Sequence, residues 1–201
     1  NETDESVKGN VYALEAGLIG SDITLFAVRF GRSAPGLFSD DAETVAATRE
    51  SLSELADGFF KDYDTATDRD LFIKLMTKYK EDIDASQHPD FFALVDTKYK
   101  GDVSRYANKM YAKSFLVDEA RCRDFIANPS EKALEKDLAV GAAMSILDRY
   151  FATFASPSQT KFDRGYRLFV KGLREMAPEH MFYPDANSTM PLAMDPLSGK
   201  A

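Results

Sequence analysis

The spacing of apolar residues constrains the fold of this chain more than any other feature. Leu52, Leu55 and Phe59 follow one another at helical intervals, and Val45 lies one heptad before Leu52, so all four share one face of a helix. Similar stripes recur along the chain, and no stretch shows the period-two alternation of a half-buried strand. The sequence therefore predicts an all-α, irregular multi-helix domain of about seven to nine helices.

Capping residues predict where the first helices begin. The first pair of helices breaks near Gly20, and Ser21 or Asp22 would cap the second of them. Thr65 and Thr67 would cap a later helix in the same way. The apolar stripe expected on that later helix consists of Leu71, Leu75 and Tyr79.

Acidic residues and prolines predict the remaining helix starts. Asp102 and Asp118 each precede a short helical pattern, and Pro129 with Ser130 predicts one long helix that continues to about residue 155. Pro157 would start the last helix. The stripes expected on these two last helices are Met144, Leu147, Phe151 and Phe154, and then Phe162, Tyr166, Phe169, Leu173 and Met176.

The sequence changes character after Pro178. Four of the eight prolines fall at 178, 184, 191 and 196, and each proline removes a backbone donor and restrains the residue before it. We therefore predict a helical domain over 1–178 and an extended, proline-rich segment over 179–201.

Charge and cysteine content exclude some classes of function. The formal net charge is -8, whereas a general nucleic-acid binder needs a basic surface. No apolar run approaches the ~20 residues of a membrane-spanning helix, so we expect no membrane-spanning segment. Cys122 is the only cysteine, and its helical spacing among apolar neighbours predicts a buried, inert thiol rather than a nucleophile.

The sequence offers no complete active site. A serine triad needs a base and an orienting acid, and the two histidines, His88 and His180, belong to no nucleophile motif. We expect His88 to be solvated in a polar loop and His180 to interact with a helix C-terminus. The oxygen-rich stretch 62–70 resembles a calcium loop but lacks its central glycine and bidentate Glu, so a capped helix junction explains it better. We predict no catalytic residue, metal site or cofactor.

Two stretches nevertheless carry a family resemblance. KSFLVDEARCRDFIANPSEKALEKD (113–137) and YRLFVKGLREMAPEHMFYPDANSTM (166–190), with YANKMY (106–111) before them, resemble the bacterial dipeptidyl-peptidase 7 and 11 family of serine exopeptidases, peptidase family forty-six. The second stretch is the more specific, because GLREM followed by FYPDANSTM is an unusual string at fixed spacing. The specific resemblance covers about a third of the chain.

The resemblance implies a role for the helices. In that family a double β-barrel carries the Ser-His-Asp triad, and an inserted helical domain caps the cleft, helps to recognise the free amine of the substrate and moves as the site closes. The implied partners are a peptide with a free N-terminus, the missing catalytic domain and a homodimer of the full-length enzyme. The implied compartment is periplasmic or otherwise exported.

The same resemblance gives the proline-rich segment a role as the exit from the helices toward the second barrel. Tyr183 and Pro184 would stiffen this junction, and Asp185, Asn187 and Ser188 could cap or turn the chain. After Met190 the family pattern of an arginine and a Tyr-Gly strand is replaced by PLAMDPLSGKA. The family's triad lies outside this segment, so none of its members is carried over.

Two functions from different classes follow. In the first, the chain is the helical capping domain of a dipeptidyl-peptidase, inactive alone, and its start at Asn1 rather than Met fits a processed or cut-out piece. In the second, the chain is a freestanding helical interaction protein without peptidase activity, which would use an apolar groove to bind a partner helix. A bundle with a buried metal is a weaker third possibility.

Overall fold

The computed structural model describes residues 2–154 and 157–176, and these residues form ten α-helices without a strand. The prediction of an all-α, multi-helix domain is confirmed. The helices are α1 (Glu2–Val11), α2 (Asp22–Ser33), α3 (Ala42–Phe60), α4 (Thr65–Asp82), α5 (Phe91–Tyr99), α6 (Val103–Lys113), α7 (Glu119–Ala127), α8 (Glu131–Lys136), α9 (Leu138–Phe154) and α10 (Pro157–Met176).

The chain divides into two compact units. The first comprises Asn1–Ser156 and the second Pro157–Ala201. In the first unit a π-helical segment, Tyr12–Leu18, joins α1 to the turn before α2, and short 3₁₀ turns occupy Ala34–Phe38, Ala85–Gln87 and Phe115–Val117. The predicted boundary at 178/179 and the proline-rich segment 179–201 lie outside the described residues.

The centre of the first unit is the contact between α2 and α9. Ala27 and Phe30 of α2 are fully buried, as are Ala143 and Ile146 of α9. Small side chains let the two helix backbones approach closely, and the larger ones fill the remaining space. The π-helical segment packs on the same helix at Gly17, where an added Cβ would lie 2.6 Å from Ile146 Cγ2.

Local signals predicted several helix starts correctly. The Asp102 and Asp118 side chains accept hydrogen bonds from backbone N–H groups in the first turns of α6 and α7. Pro157 is the first residue of α10. These starts could be predicted because a cap involves only residues that are neighbours in the sequence.

One predicted helix length and one predicted cap are wrong, although Ser130 does cap a helix as predicted. The long helix expected from Pro129 and Ser130 is broken at Asp137 into α8 and α9, because the Asp137 carboxylate accepts hydrogen bonds from two N–H groups of α9 and ends the preceding helix. The cap of α4 is Asp64, whose carboxylate accepts from the N–H of Thr67 at 2.7 Å. Thr65 is therefore the first residue of that helix and not its cap.

Some members of the predicted apolar stripes are exposed on three helices. On α4 Leu71 is 44% exposed, whereas Phe72, Met76 and Tyr79 are buried together with Asp68, so the buried face is rotated by one residue from the predicted stripe. On α9 Phe151 is 53% exposed. On α10 the described members of the predicted stripe, Tyr166, Phe169 and Met176, are largely exposed.

No single helix within 2–154 and 157–176 has the length and hydropathy of a membrane span. The segments Glu5–Leu18 and Asp22–Phe38 meet these criteria only when they are taken together, and they are bent by 90° relative to each other.

Candidate functional site

Asp68 is a buried acid of the first unit that accepts four hydrogen bonds. It is 3% exposed and accepts backbone hydrogen bonds from Asp22 N at 2.6 Å and Ile23 N at 3.2 Å. The hydroxyls of Tyr111 and Tyr63 donate to the same carboxylate at 2.8 and 3.2 Å. Asp68 of α4 therefore caps the N-terminus of α2 and also bonds α6 through Tyr111.

This arrangement replaces the predicted local cap of α2. Ser21 occupies the cap position without a side-chain bond to the backbone, and its hydroxyl instead lies 2.8 Å from that of Thr24. The N–H groups at the start of α2 bond to a residue more than forty positions away. Because this bond is long-range, no local cap signal could indicate it.

The electrostatics of the cluster follow from its burial. Burial raises the pKa of Asp68, and the four donated hydrogen bonds oppose that shift. Burial, followed by the charge of Asp68 and the hydrogen bond to it, raises the pKa values of Tyr63 and Tyr111. The phenols therefore stay protonated as donors, and the cluster is suited to holding helices together rather than to proton transfer.

Asp137 forms a second buried cluster of the same kind. Its carboxylate accepts from Ser114 Oγ at 2.9 Å and Phe115 N at 3.0 Å, before α7, and from Ala139 N and Val140 N at 2.9 and 3.1 Å, in α9. The residue is 8% exposed. It fixes the α6–α7 connection to the start of α9.

These contacts explain the oxygen-rich stretch 62–70. Asp64 caps α4 and Asp68 is bonded to four donors, so neither carboxylate is free to take part in a loop of calcium ligands. Within 2–154 and 157–176, no group of three or more His, Cys, Asp or Glu side chains could hold a metal ion.

His88 and Cys122 have structural surroundings. His88 is half-buried rather than solvated, and its Nε2 lies 2.9 Å from the carbonyl oxygen of Ile83. Its ring meets those of Tyr79 and Phe92 edge-on. Cys122 is fully buried, and burial raises the pKa of its thiol to about 12, as expected for an inert thiol. His180 lies outside the described residues.

The surface carries an open groove of about 490 Å³ between α2 and α3. Its walls include Phe26, Phe59 and Tyr63, and the Phe26 and Phe59 rings stack with centroids 3.9 Å apart and planes inclined by 2°. The other lining residues are Asp22, Leu25, Arg29, Glu54, Leu55, Gly58 and Asp62. An aromatic wall with an acidic rim is suited to binding a cationic, partly apolar group.

The sequence contained only part of the signal for these features. Asp68 shares a helical stripe with Phe72 and Met76, and an acid on an apolar face is a signal for a buried, bonded carboxylate. The groove could not be predicted, because it depends on how α2 and α3 pair. The predicted junction residues Tyr183, Pro184, Asp185, Asn187 and Ser188 lie outside the described residues, so their role stays a prediction.

The described residues form an all-α domain whose helices are joined by the buried Asp68 and Asp137 clusters. The chain belongs to the peptidase S46 family, whose family model matches residues 11–199. The predicted family resemblance is confirmed.

Individual relatives agree with this assignment. The chain is 32% identical over 156 residues to dipeptidyl-peptidase 7 of Phocaeicola vulgatus, an alignment that covers 76% of this chain and 22% of the relative. It is 29% identical over 150 residues to the Asp/Glu-specific dipeptidyl-peptidase of Porphyromonas gingivalis, with 74% of this chain and 20% of the relative covered. A third alignment, to dipeptidyl-peptidase 7 of Capnocytophaga gingivalis, has 30% identity over 88 residues and covers 44% and 12% of the two chains. The chain thus spans about a fifth or less of the length of these relatives.

Proposed function

We propose that this chain is the helical part of a serine dipeptidyl-peptidase that removes dipeptides from the N-termini of peptides. The family match over 11–199, combined with alignments that cover only 12% to 22% of the relatives, carries this proposal. The catalytic Ser, His and Asp are then supplied by other parts of a longer polypeptide. Residues 179–201 lead from the helices toward a β-barrel domain.

In this role the helices cap the active-site cleft and close over a bound peptide. Closure excludes water and positions the substrate N-terminus before attack. A lid that closes in this way must keep its own shape while it moves. The Asp68 and Asp137 clusters support such a role, because each joins helices that are distant in the sequence through several buried hydrogen bonds.

The proposed partners follow from the same role. The substrate is a peptide with a free N-terminus, held together with the catalytic domain, and the full-length enzyme forms a homodimer. The net charge of -8 opposes binding to nucleic acid. The proposed compartment is the periplasm or the cell exterior.

Release of dipeptides from chromogenic dipeptidyl substrates tests the proposal. The purified 201-residue chain is expected to give no turnover above buffer, because the proposal assigns the triad to other parts of the polypeptide. The longer polypeptide encoded by the same gene is expected to release dipeptides, and a serine-reactive inhibitor is expected to abolish that release. Clear turnover by the 201-residue chain alone would refute its non-catalytic role.

The alternative of a freestanding interaction domain is distinguished by the encoding gene. The proposal expects flanking β-rich sequence, with a histidine upstream and a glycine-flanked serine downstream of the helical part. A gene without these flanks would favour the interaction domain and contradict the peptidase role.

A further inference from the structure

The groove between α2 and α3 has an uneven distribution of charge. The two helices are antiparallel, because Phe26 stacks on Phe59 while Asp22, one turn earlier on α2, and Tyr63, four residues after Phe59, both bond to Asp68. Asp22 therefore lies at the Asp62 end of the groove. The other two charged residues of the lining, Arg29 and Glu54, lie toward the opposite end, and their charges are of opposite sign.

The two carboxylates at the Asp22 end, those of Asp22 and Asp62, form no ion pair within the described residues. Lys61, the C-cap residue of α3 and the sequence neighbour of Asp62, is exposed and is not part of the groove lining. The groove lining at this end carries two carboxylates and no basic side chain, which favours a cation.

The middle of the groove is apolar and open. Leu25 is 36% exposed, and Leu55 and Phe59 are half-buried. Gly58 faces the same space, and a Cβ built on it meets no atom within 4 Å. Glycine inside a helix lowers helix stability relative to alanine. At this position the missing side chain leaves the groove open.

We propose that this groove binds a lysine side chain of an extended peptide. The four-carbon stem lies along Leu25, Leu55 and Phe59, and the ammonium group lies between Asp22 and Asp62. The methylene chain of the lysine thus matches the apolar middle of the groove, and its ammonium group matches the acidic end. The choice of a peptide as the ligand rests on the proposed function, whereas the preference for a cationic side chain rests on the groove itself.

Binding of short fluorescent peptides to the 201-residue chain tests this proposal. The peptides are blocked at both termini and differ only at a central lysine, norleucine or glutamate, so that a free N-terminus plays no part. We expect the lysine peptide to bind, the norleucine peptide to bind about tenfold more weakly, and the glutamate peptide to bind more weakly still. Equal binding of the lysine and norleucine peptides, or no binding of either, would overturn the proposal.

Two pairs of variants locate the site. Gly58→Leu fills the groove and removes a helix-destabilising glycine, so it should reduce lysine-peptide affinity at least about tenfold without loss of thermal stability. Gly141→Leu is its control, because Gly141 is an exposed glycine of α9 whose Cβ would also meet nothing. Asp62→Asn should weaken binding, whereas Asp40→Asn, an equal change in net charge at an exposed position outside the groove lining, should not.

The variant results decide the location of the site. If Gly58→Leu binds the lysine peptide with the same affinity as its control Gly141→Leu, the groove is not the site. The same conclusion follows if Asp62→Asn and Asp40→Asn bind this peptide with equal affinity. This failure is distinct from failure of the proposed function, because dipeptide release by the longer polypeptide does not require a lysine-binding groove.

Discussion

The Tyr111 hydroxyl of α6 donates a hydrogen bond of 2.8 Å to the Asp68 carboxylate of α4, across 43 residues of sequence. The same carboxylate caps α2. Three helices from separate parts of the chain therefore share one buried acid. Because an unsatisfied buried donor costs about 1–3 kcal/mol, loss of this acid affects all three helices at once.

The first prediction concerns the stability of this cluster. Asp68→Ala should lower the free energy of unfolding by about 3 kcal/mol or more, because four donors lose their acceptor. Asp70→Ala is the control: its side chain is 61% exposed and pairs only with neighbouring Arg69, so its effect should stay below about 0.5 kcal/mol. Urea unfolding measures both. Equal effects would show that the cluster contributes nothing beyond a surface charge.

The second prediction concerns pH. Burial raises the pKa of Asp68 above its ordinary value of 3.8. The native state therefore binds the Asp68 proton more tightly than the unfolded state does. The resulting contribution to the free energy of unfolding is fully present below pH 3.8 and is lost as pH rises through the pKa of Asp68 in the folded chain. The free energy of unfolding of the wild type, measured relative to that of Asp68→Asn, should therefore decrease as pH rises above 3.8. Urea unfolding at several pH values checks the sign, and a shift in favour of the wild type would contradict it.

The third prediction compares two caps. Asp137→Ala should cost about 2–4 kcal/mol, because its buried carboxylate caps α9 and also bonds the α6–α7 connection. Ser130→Ala removes only the exposed cap of α8 and should cost about 1 kcal/mol or less. Thermal unfolding of the two variants gives the comparison. A cost for Ser130→Ala that equals the cost for Asp137→Ala would mean that the long-range bonds of Asp137 add no stability.

The fourth prediction concerns Cys122. Its burial raises the pKa of the thiol to about 12, so few thiolates exist near neutral pH and reagents cannot reach them. Labelling by a disulfide reagent should be at least about a hundredfold slower in the native chain than in the denatured chain. Fast native labelling would show that the α7 region opens readily.

The local signals of the sequence predicted the fold class and several helix starts, but not the contacts that organise them. Asp102 and Asp118 were recognised because a cap acts within its own first turn. Asp137 and Asp68 escaped recognition because their roles depend on helices that meet only in the folded chain. The one-residue rotation of the buried face on α4 has the same origin, since the burial of Asp68 depends on donors from α2 and α6.

The candidate groove was also beyond prediction from single helices. Phe59 was expected to lie on the apolar face of α3, and the structure places its ring against Phe26 of α2. Gly58, the exposed glycine next to Phe59, leaves a space that becomes part of a groove only when α2 and α3 pack together. By contrast, the family could be recognised, because residues 113–137 and 166–190 carry an ordered pair of motifs.

The position of the nucleophilic serine decides whether this chain is a non-catalytic part of a serine dipeptidyl-peptidase. A fluorophosphonate probe, which reacts with activated serines, would be applied to the 201-residue chain and to the longer polypeptide encoded by the same gene, and the labelled peptide would be mapped by mass spectrometry. We expect no labelling of the 201-residue chain and a single labelled serine outside these residues in the longer polypeptide. A labelled serine within the 201 residues would contradict the non-catalytic role of this chain.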